Sequence, residues 1–256
     1  MIKIGTSGFS YADWTGPVFP EGLPAGDQLG FYAREFTTVE INTTFYRVPE
    51  VRTVEGWIRK TPPGFLFSVK AYRGLTHERE NPEYAPFAIS LNPLVESGRL
   101  GCVLAQFPYS FHASAPNRDY LRGLRDGLSG VPVVVEFRNA AWATQETLDQ
   151  LHRLDLGFCC VDEPRLPGLM PPLAVATGPV AYVRFHGRNS AKWYNHKDAW
   201  ERYDYTYTSE ELREWVPKLR QLDASAPLTL GYFNNHFVGQ AVRGARLLGQ
   251  LLLEGE

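Results

Sequence analysis

Pro132-Val133-Val134-Val135-Glu136-Phe137-Arg138 is a short apolar run, rich in β-branched residues, that passes abruptly into charged groups. Such a run predicts a strand. Seven others share its character: Ile2–Thr6, Thr38–Ile41, Leu66–Val69, Cys102–Gln106, Gly157–Val161, Val180–Phe185 and Leu228–Phe233. They recur about every thirty residues, the length of one βα unit. Between most of them runs a stripe of helical period. Leu148, Leu151 and Leu154 follow Thr144, and Leu212, Trp215, Val216 and Leu219 follow Ser209 as a cap. Ala241, Ala245, Leu248 and Leu252 form a last stripe at the C-terminal end. Strands alternating with helices predict an α/β fold, a single TIM-like (β/α)8 barrel over residues 1–256. The rival is an open doubly wound sheet, whose phosphate turn reads G-x-G-x-x-G. Gly5-Thr6-Ser7-Gly8 lacks that spacing. The alternation falters once, at Asp162–Pro179. There Pro164, Pro167, Pro171, Pro172 and Pro179 predict an irregular loop in place of a helix in the sixth unit.

Composition supports this reading. The chain has 256 residues, 44% of them apolar, with 26 basic against 28 acidic side chains and a net charge of −2. Area scaling at this length buries roughly three quarters of the surface, so a core forms without staples. The apolar content excludes a disordered chain, and no apolar stretch approaches a membrane span. Near-neutral charge excludes wrapping of nucleic acid by bulk electrostatics. Met1–Gly5 enters strand alternation directly, without the pattern of a secretory signal. Cys102, Cys159 and Cys160 lie in apolar runs and read as buried thiols, so the expected compartment is cytoplasmic.

A barrel carries its function at the C-terminal strand ends, and here those ends are polar. Because side chains alternate with period two, Glu40 and Asn42 share a face, as do Glu136 and Arg138, and Arg184 and His186. Ile41, Phe137 and Phe185 then face the helices. Lys70, Gln106, Asp162, Asn234, Asn235 and His236 end the remaining strands. Buried carboxylates and guanidinium groups are costly unless paired or used, so their concentration predicts a site. A second signal lies in the loops: Phe9, Tyr11, Trp14 and Phe19 after the first strand, and Arg188–Tyr207 after the seventh. The latter carries Trp193, Tyr194, Trp200 and four basic residues beyond Arg188, namely Lys192, His196, Lys197 and Arg202. Aromatic planes beside cations suit a nucleobase or sugar together with a phosphate.

Nucleophile elbows, phosphate loops and zinc-protease helices are missing from the sequence. Glu40 and Glu136 are the acid/base candidates, with His186 as auxiliary. Asn42, Tyr46, Lys70, Gln106, Arg138, Asp162, Arg184, Arg188, Trp193, Asn234, Asn235 and His236 are the expected substrate-binding groups. Lys70, Arg138, Arg184 and Arg188 around one mouth make its field positive, which favours a small anionic ligand. No diagnostic metal spacing occurs and no cofactor is expected. A divalent ion, if used, would draw on Glu40, Glu136, Asp162, His186 and His236.

The ordered motifs Gly5-Thr6-Ser7-Gly8-Phe9-Ser10-Tyr11, Val39-Glu40-Ile41-Asn42-Thr43-Thr44-Phe45-Tyr46, Phe67-Ser68-Val69-Lys70, Val135-Glu136-Phe137-Arg138, Tyr182-Val183-Arg184-Phe185-His186-Gly187-Arg188 and Tyr232-Phe233-Asn234-Asn235-His236 resemble the YecE-like family, a domain of unknown function. The resemblance runs from Met1 to about Leu252 and implies a TIM-barrel-like fold in a soluble protein, with no established reaction to carry over. Family members often place a histidine after the arginine, where this chain has Asn139. Three functions are therefore weighed: an enzyme acting on an anionic substrate by general acid/base chemistry, a non-catalytic protein binding single-stranded nucleic acid or a nucleotide through Trp193 and its loop, and a metal-dependent hydrolase.

Overall fold

The computed structural model describes residues 1–254. Eight parallel strands form one sheet in the order β1-β8-β7-β6-β5-β4-β3-β2. They are β1 Ile2–Thr6, β2 Thr38–Ile41, β3 Leu66–Lys70, β4 Leu100–Gln106, β5 Val133–Glu136, β6 Leu156–Asp162, β7 Val180–Phe185 and β8 Leu228–Phe233. Each apolar run of the sequence is thus a strand, four with the expected ends and the others with ends shifted by one or two residues.

The sheet nearly closes into a TIM-like barrel. β1 and β2 meet through a bridge between Ser7 and Glu40, with the Gly8 N–H donating to the Glu40 carbonyl at 2.7 Å. The rest of this seam is stitched by a side chain. The Tyr32 hydroxyl accepts from the Thr6 N–H at 2.9 Å and donates to the Thr38 carbonyl at 3.1 Å. Gly5 permits the approach, since a Cβ there would lie 2.4 Å from the Thr38 carbonyl oxygen.

Helices cover the outside: α1 Gln28–Tyr32, α2 Val51–Arg59, α3 Tyr84–Ser90, α4 Asn92–Glu96, α5 Ala115–Gly127, α6 Gln145–Arg153, α7 Ser209–Arg213, α8 Val216–Ser225 and α9 Gln240–Leu253. Thr144 caps α6 by accepting from the Thr147 N–H. The cap of α7 is Thr208, not Ser209. Thr208 and Glu211 form a reciprocal capping box, which Ser209 cannot because its third residue on is Leu212. Pro217 then starts a separate helix, so the predicted stripe is divided between α7 and α8. No helix joins β6 to β7 among the described residues; the proline-rich segment is a loop, as its composition requires. Among the described residues no helix is long and apolar enough to cross a membrane.

The barrel interior mixes apolar side chains such as Leu230 with buried polar ones. Near its N-terminal end the Tyr232 hydroxyl bonds with Ser68 Oγ at 3.0 Å and with Thr38 Oγ1. Cys102, Cys159 and Cys160 are buried free thiols. Cys160 faces away from the axis, its sulfur accepting from the Val175 N–H at 3.4 Å.

Candidate functional site

Arg184 stands at the centre of the barrel, 2% exposed, between two fully buried carboxylates. Its Nη1 donates to Glu136 Oε2 and its Nη2 to Glu40 Oε1, each at 2.7 Å. The second oxygen of Glu40 accepts from the Tyr182 hydroxyl at 2.7 Å. The second oxygen of Glu136 meets His186 Nε2 at 3.1 Å and lies 2.8 Å from Arg138 Nε, the latter in ion-pair contact without hydrogen-bond alignment. Every carboxylate oxygen of this layer is therefore held by the protein itself.

The electrostatics follow from these contacts. Burial alone would raise the Glu136 carboxyl, but the charges of Arg138 and Arg184 outweigh it and hold the group well below its ordinary 4.5. Burial, then the Arg138 charge, lowers His186 from 6.5 to about 3, so its ring is neutral. Glu136 accepts at Nε2 and Asn234 Nδ2 lies 3.2 Å from Nδ1, which assigns the proton to Nε2.

Above this layer, at the C-terminal mouth, opens a cavity of about 410 Å³. Asn42, Tyr46, Lys70, Gln106, Arg138, Arg184, Asn234 and His236 line it, all of them expected from the strand ends. Alternation places Glu40, Glu136 and His186 inside the barrel as predicted, but they are not on the cavity wall. They lie beneath its floor. The acid/base pair expected of the two glutamates thus has no free oxygen to offer a substrate.

Four other expected groups are elsewhere. Asp162 accepts from Arg188, from the Tyr207 hydroxyl at 2.7 Å and from Trp215 Nε1 at 2.6 Å. Arg188 is consumed by Asp162 and Glu214 because Gly187, with φ +88°, turns the chain outward after His186. Asn235 is fully buried and donates to the Tyr205 carbonyl at 2.7 Å. Trp193, expected as a stacking plane, is 3% exposed with the Arg202 guanidinium over its ring at 5.4 Å, and it lines a neighbouring chamber rather than this cavity. Its loop packs as a wall of the site.

The five residues proposed for a divalent ion do not converge. The Arg184 guanidinium fills the space between Glu40 and Glu136, and Asp162 is turned away into its own network. Among the described residues no group of three or more His, Cys, Asp or Glu side chains is placed to hold a metal.

Two residues gain prominence from the structure. Lys70, at the end of β3, sets its Nζ 4.5 Å from the centre of the Phe45 ring, and that amine makes no hydrogen bond or ion pair among the described residues. Burial and the neighbouring Arg184 charge lower its amine from 10.5 to about 8. Glu163 was missed. It lines a second chamber of about 320 Å³ that shares Gln106, Arg138 and Tyr203 with the first. Its Oε1 accepts from the Met170 N–H at 2.9 Å, while its Oε2 has no hydrogen-bond partner and lies 3.8 Å from Arg138 Nη1. Burial raises this carboxyl from 4.5 to about 7 against the pull of Arg138. The loop aromatics Phe9, Tyr11 and Phe45 also wall the main cavity, with Tyr11 stacked on His236 at 4.3 Å.

Comparison with known proteins agrees with this barrel throughout its length. Residues 3–256 match the family described as protein of unknown function DUF72. The UPF0759 protein YunF of Bacillus subtilis is 32% identical over 270 residues, spanning 98% of this chain and 95% of that one. The crystal structure of a DUF72 family protein, TM1631 of Thermotoga maritima, superposes with a TM-score of 0.91 at 39% identity over 99% of both chains. That of the DUF72 family protein EF0366 of Enterococcus faecalis gives 0.88 at 27% identity, over 99% of this chain and 96% of that one. The YecE-like resemblance of the strand-end motifs agrees with these matches, and with the match extending over all eight strands the chain belongs to the DUF72 family.

Proposed function

We propose that the chain is an enzyme that binds a small anionic substrate at the barrel mouth and acts on it by proton transfer. The observation that carries this reading is the unequal treatment of charge in the site. Glu40 and Glu136 are saturated below the floor, whereas Lys70 and Arg138 line the cavity itself. A ligand entering the main cavity therefore meets cations and amides and no carboxylate on its wall, and low dielectric strengthens that attraction.

On this reading Glu40, Glu136 and neutral His186 are positioning residues that fix Arg184 and Arg138. Proton transfer falls instead to Glu163 and Lys70, whose values of about 7 and about 8 lie at and just above neutrality. They flank Arg138 from the two chambers that share it.

A thermal-shift screen of inorganic phosphate, small carboxylates and sugar phosphates tests the reading. A binder at one hundred times its Kd stabilises by about 2.7 kcal/mol. The shift is expected with anions, not with neutral sugars, and should fall at least tenfold in apparent affinity in Arg138→Gln. Failure of every anion to shift the transition, or an anion shift unchanged in that variant, overturns it.

Glu163 gives a separate expected result. Its folded value of about 7 lies above its ordinary 4.5, so its favourable contribution is complete below pH 4.5 and lost as pH rises through 7. Glu163→Gln should thus stabilise the fold at pH 8, by up to about 3 kcal/mol, and change little at pH 4. Urea unfolding at both pH values measures it. Equal effects at the two would show that the carboxyl is not held protonated by burial.

A further inference from the structure

We propose that Lys70 is a carbonyl-trapping amine, whose Nζ adds to the carbonyl carbon of a small anionic aldehyde or ketone seated against Arg138 and forms an imine with it. The inference rests on the anion-site reading above and deepens it by naming the substrate class: a short carbonyl compound carrying a carboxylate or phosphate, such as a 2-oxo acid.

The geometry has three parts. First, the amine is free. The other cations of the barrel interior are tied down, Arg184 by two carboxylates and Arg138 by Glu136, while among the described residues Lys70 Nζ lies over the Phe45 ring with no hydrogen bond or ion pair. A structural lysine here would be expected to find a carboxylate, and the charges of Glu136 and Glu40 are felt at this amine. Arg184 holds them instead.

Second, the amine can lose its proton. Burial and the adjacent guanidinium groups disfavour the ammonium form, the usual device for making lysine a nucleophile near neutral pH. Third, the walls suit both ends of the proposed substrate. Phe45 and Trp57 line the cavity with apolar surface, which limits the water that would hydrolyse an imine, and Arg138 lines the same cavity to take the anionic group. Lys70 itself stands on a strand, with the Thr44 hydroxyl donating to its carbonyl oxygen at 2.6 Å, so its stem starts from a rigid point.

The step balances without an external oxidant or reductant. The nitrogen lone pair forms the C–N bond as the carbonyl π electrons move to oxygen. The nitrogen's two protons pass to that oxygen, the C–O bond breaks, and water leaves as the C=N bond forms.

The test is reductive trapping of the intact protein with glyoxylate and cyanoborohydride at pH 8, followed by peptide mass mapping. Lys3, Lys60, Lys192, Lys197, Lys218 and the α-amine serve as internal controls. Lys70 is expected to be alkylated at least tenfold faster than any of these. Glycolaldehyde, the neutral counterpart, should lose that preference, and saturating phosphate should protect Lys70. Alkylation spread over the exposed lysines with Lys70 no faster than they are overturns the proposal. If phosphate still shifts the thermal transition in that case, the anion site stands and only the covalent role fails. If neither occurs, both readings fail. Lys70→Arg, which keeps the charge, should retain the phosphate shift and abolish the selective adduct.

Discussion

Replacing Arg184 with methionine is expected to destabilise the fold by about 3–5 kcal/mol, the cost of leaving buried charge unpaired. The effect should be among the largest of any single substitution in the barrel, because one guanidinium donates to two carboxylates that are themselves wholly buried, and Glu40 has no other cation paired with it among the described residues. Volume is nearly conserved, so a cavity contributes little to the loss. Equilibrium unfolding at pH 7 measures it. The double variant Glu40→Gln, Arg184→Met is expected to recover much of the stability, since the carboxylate that had only this guanidinium is gone and Glu136 keeps Arg138. A loss below about 1 kcal/mol for the single variant would mean that the carboxylates do not depend on Arg184 for their charge.

Lys70→Met is expected to have the opposite sign. The folded value of about 8 lies below the ordinary 10.5, so the contribution of this amine is favourable above pH 10.5 and is lost as pH falls through 8. At pH 7 the native state carries a desolvated ammonium, a penalty of about 3 kcal/mol that methionine removes. The variant should therefore unfold at higher denaturant at pH 7 and show no such gain above pH 10.5. The same variant should lose at least tenfold in affinity for inorganic phosphate, read as a diminished thermal shift. A stabilised fold together with weakened phosphate binding in the one variant would tie the cost of this amine to a ligand. A neutral or destabilising effect of Lys70→Met, with phosphate binding intact, would remove that argument.

The particular residues explain how far the site could be read in advance. Alternation is local, so β2, β5 and β7 each reveal which side chains face inward from one polar residue in an apolar run. Glu40, Glu136, Arg184 and His186 were legible for that reason. Alternation does not give height along the barrel axis, which depends on strand stagger. That is why the two glutamates have the right face but lie below the cavity, while Lys70 and Arg138 reach its wall.

β6 shows the other limit. Gly157-Phe158-Cys159-Cys160-Val161 is apolar at every position, so nothing in it marks which parity turns inward. Asp162 was the polar residue at its end, yet the inward parity belongs to Cys159, Val161 and Glu163, and Asp162 turns to Arg188, Tyr207 and Trp215. Beyond the strands a single residue in a left-handed conformation resets direction, as Gly187 does for Arg188.

The amino-acid sequence by itself determined the strand and helix succession, the barrel class, the proline-rich gap in the sixth unit and the inward faces of most strands. These rest on periodicity and turn chemistry, which neighbours along the chain decide. Only the tertiary structure decided which charges spend themselves on one another and which remain for a ligand. Pairing depends on the height and azimuth at which separate strands meet, and those are set when the sheet closes.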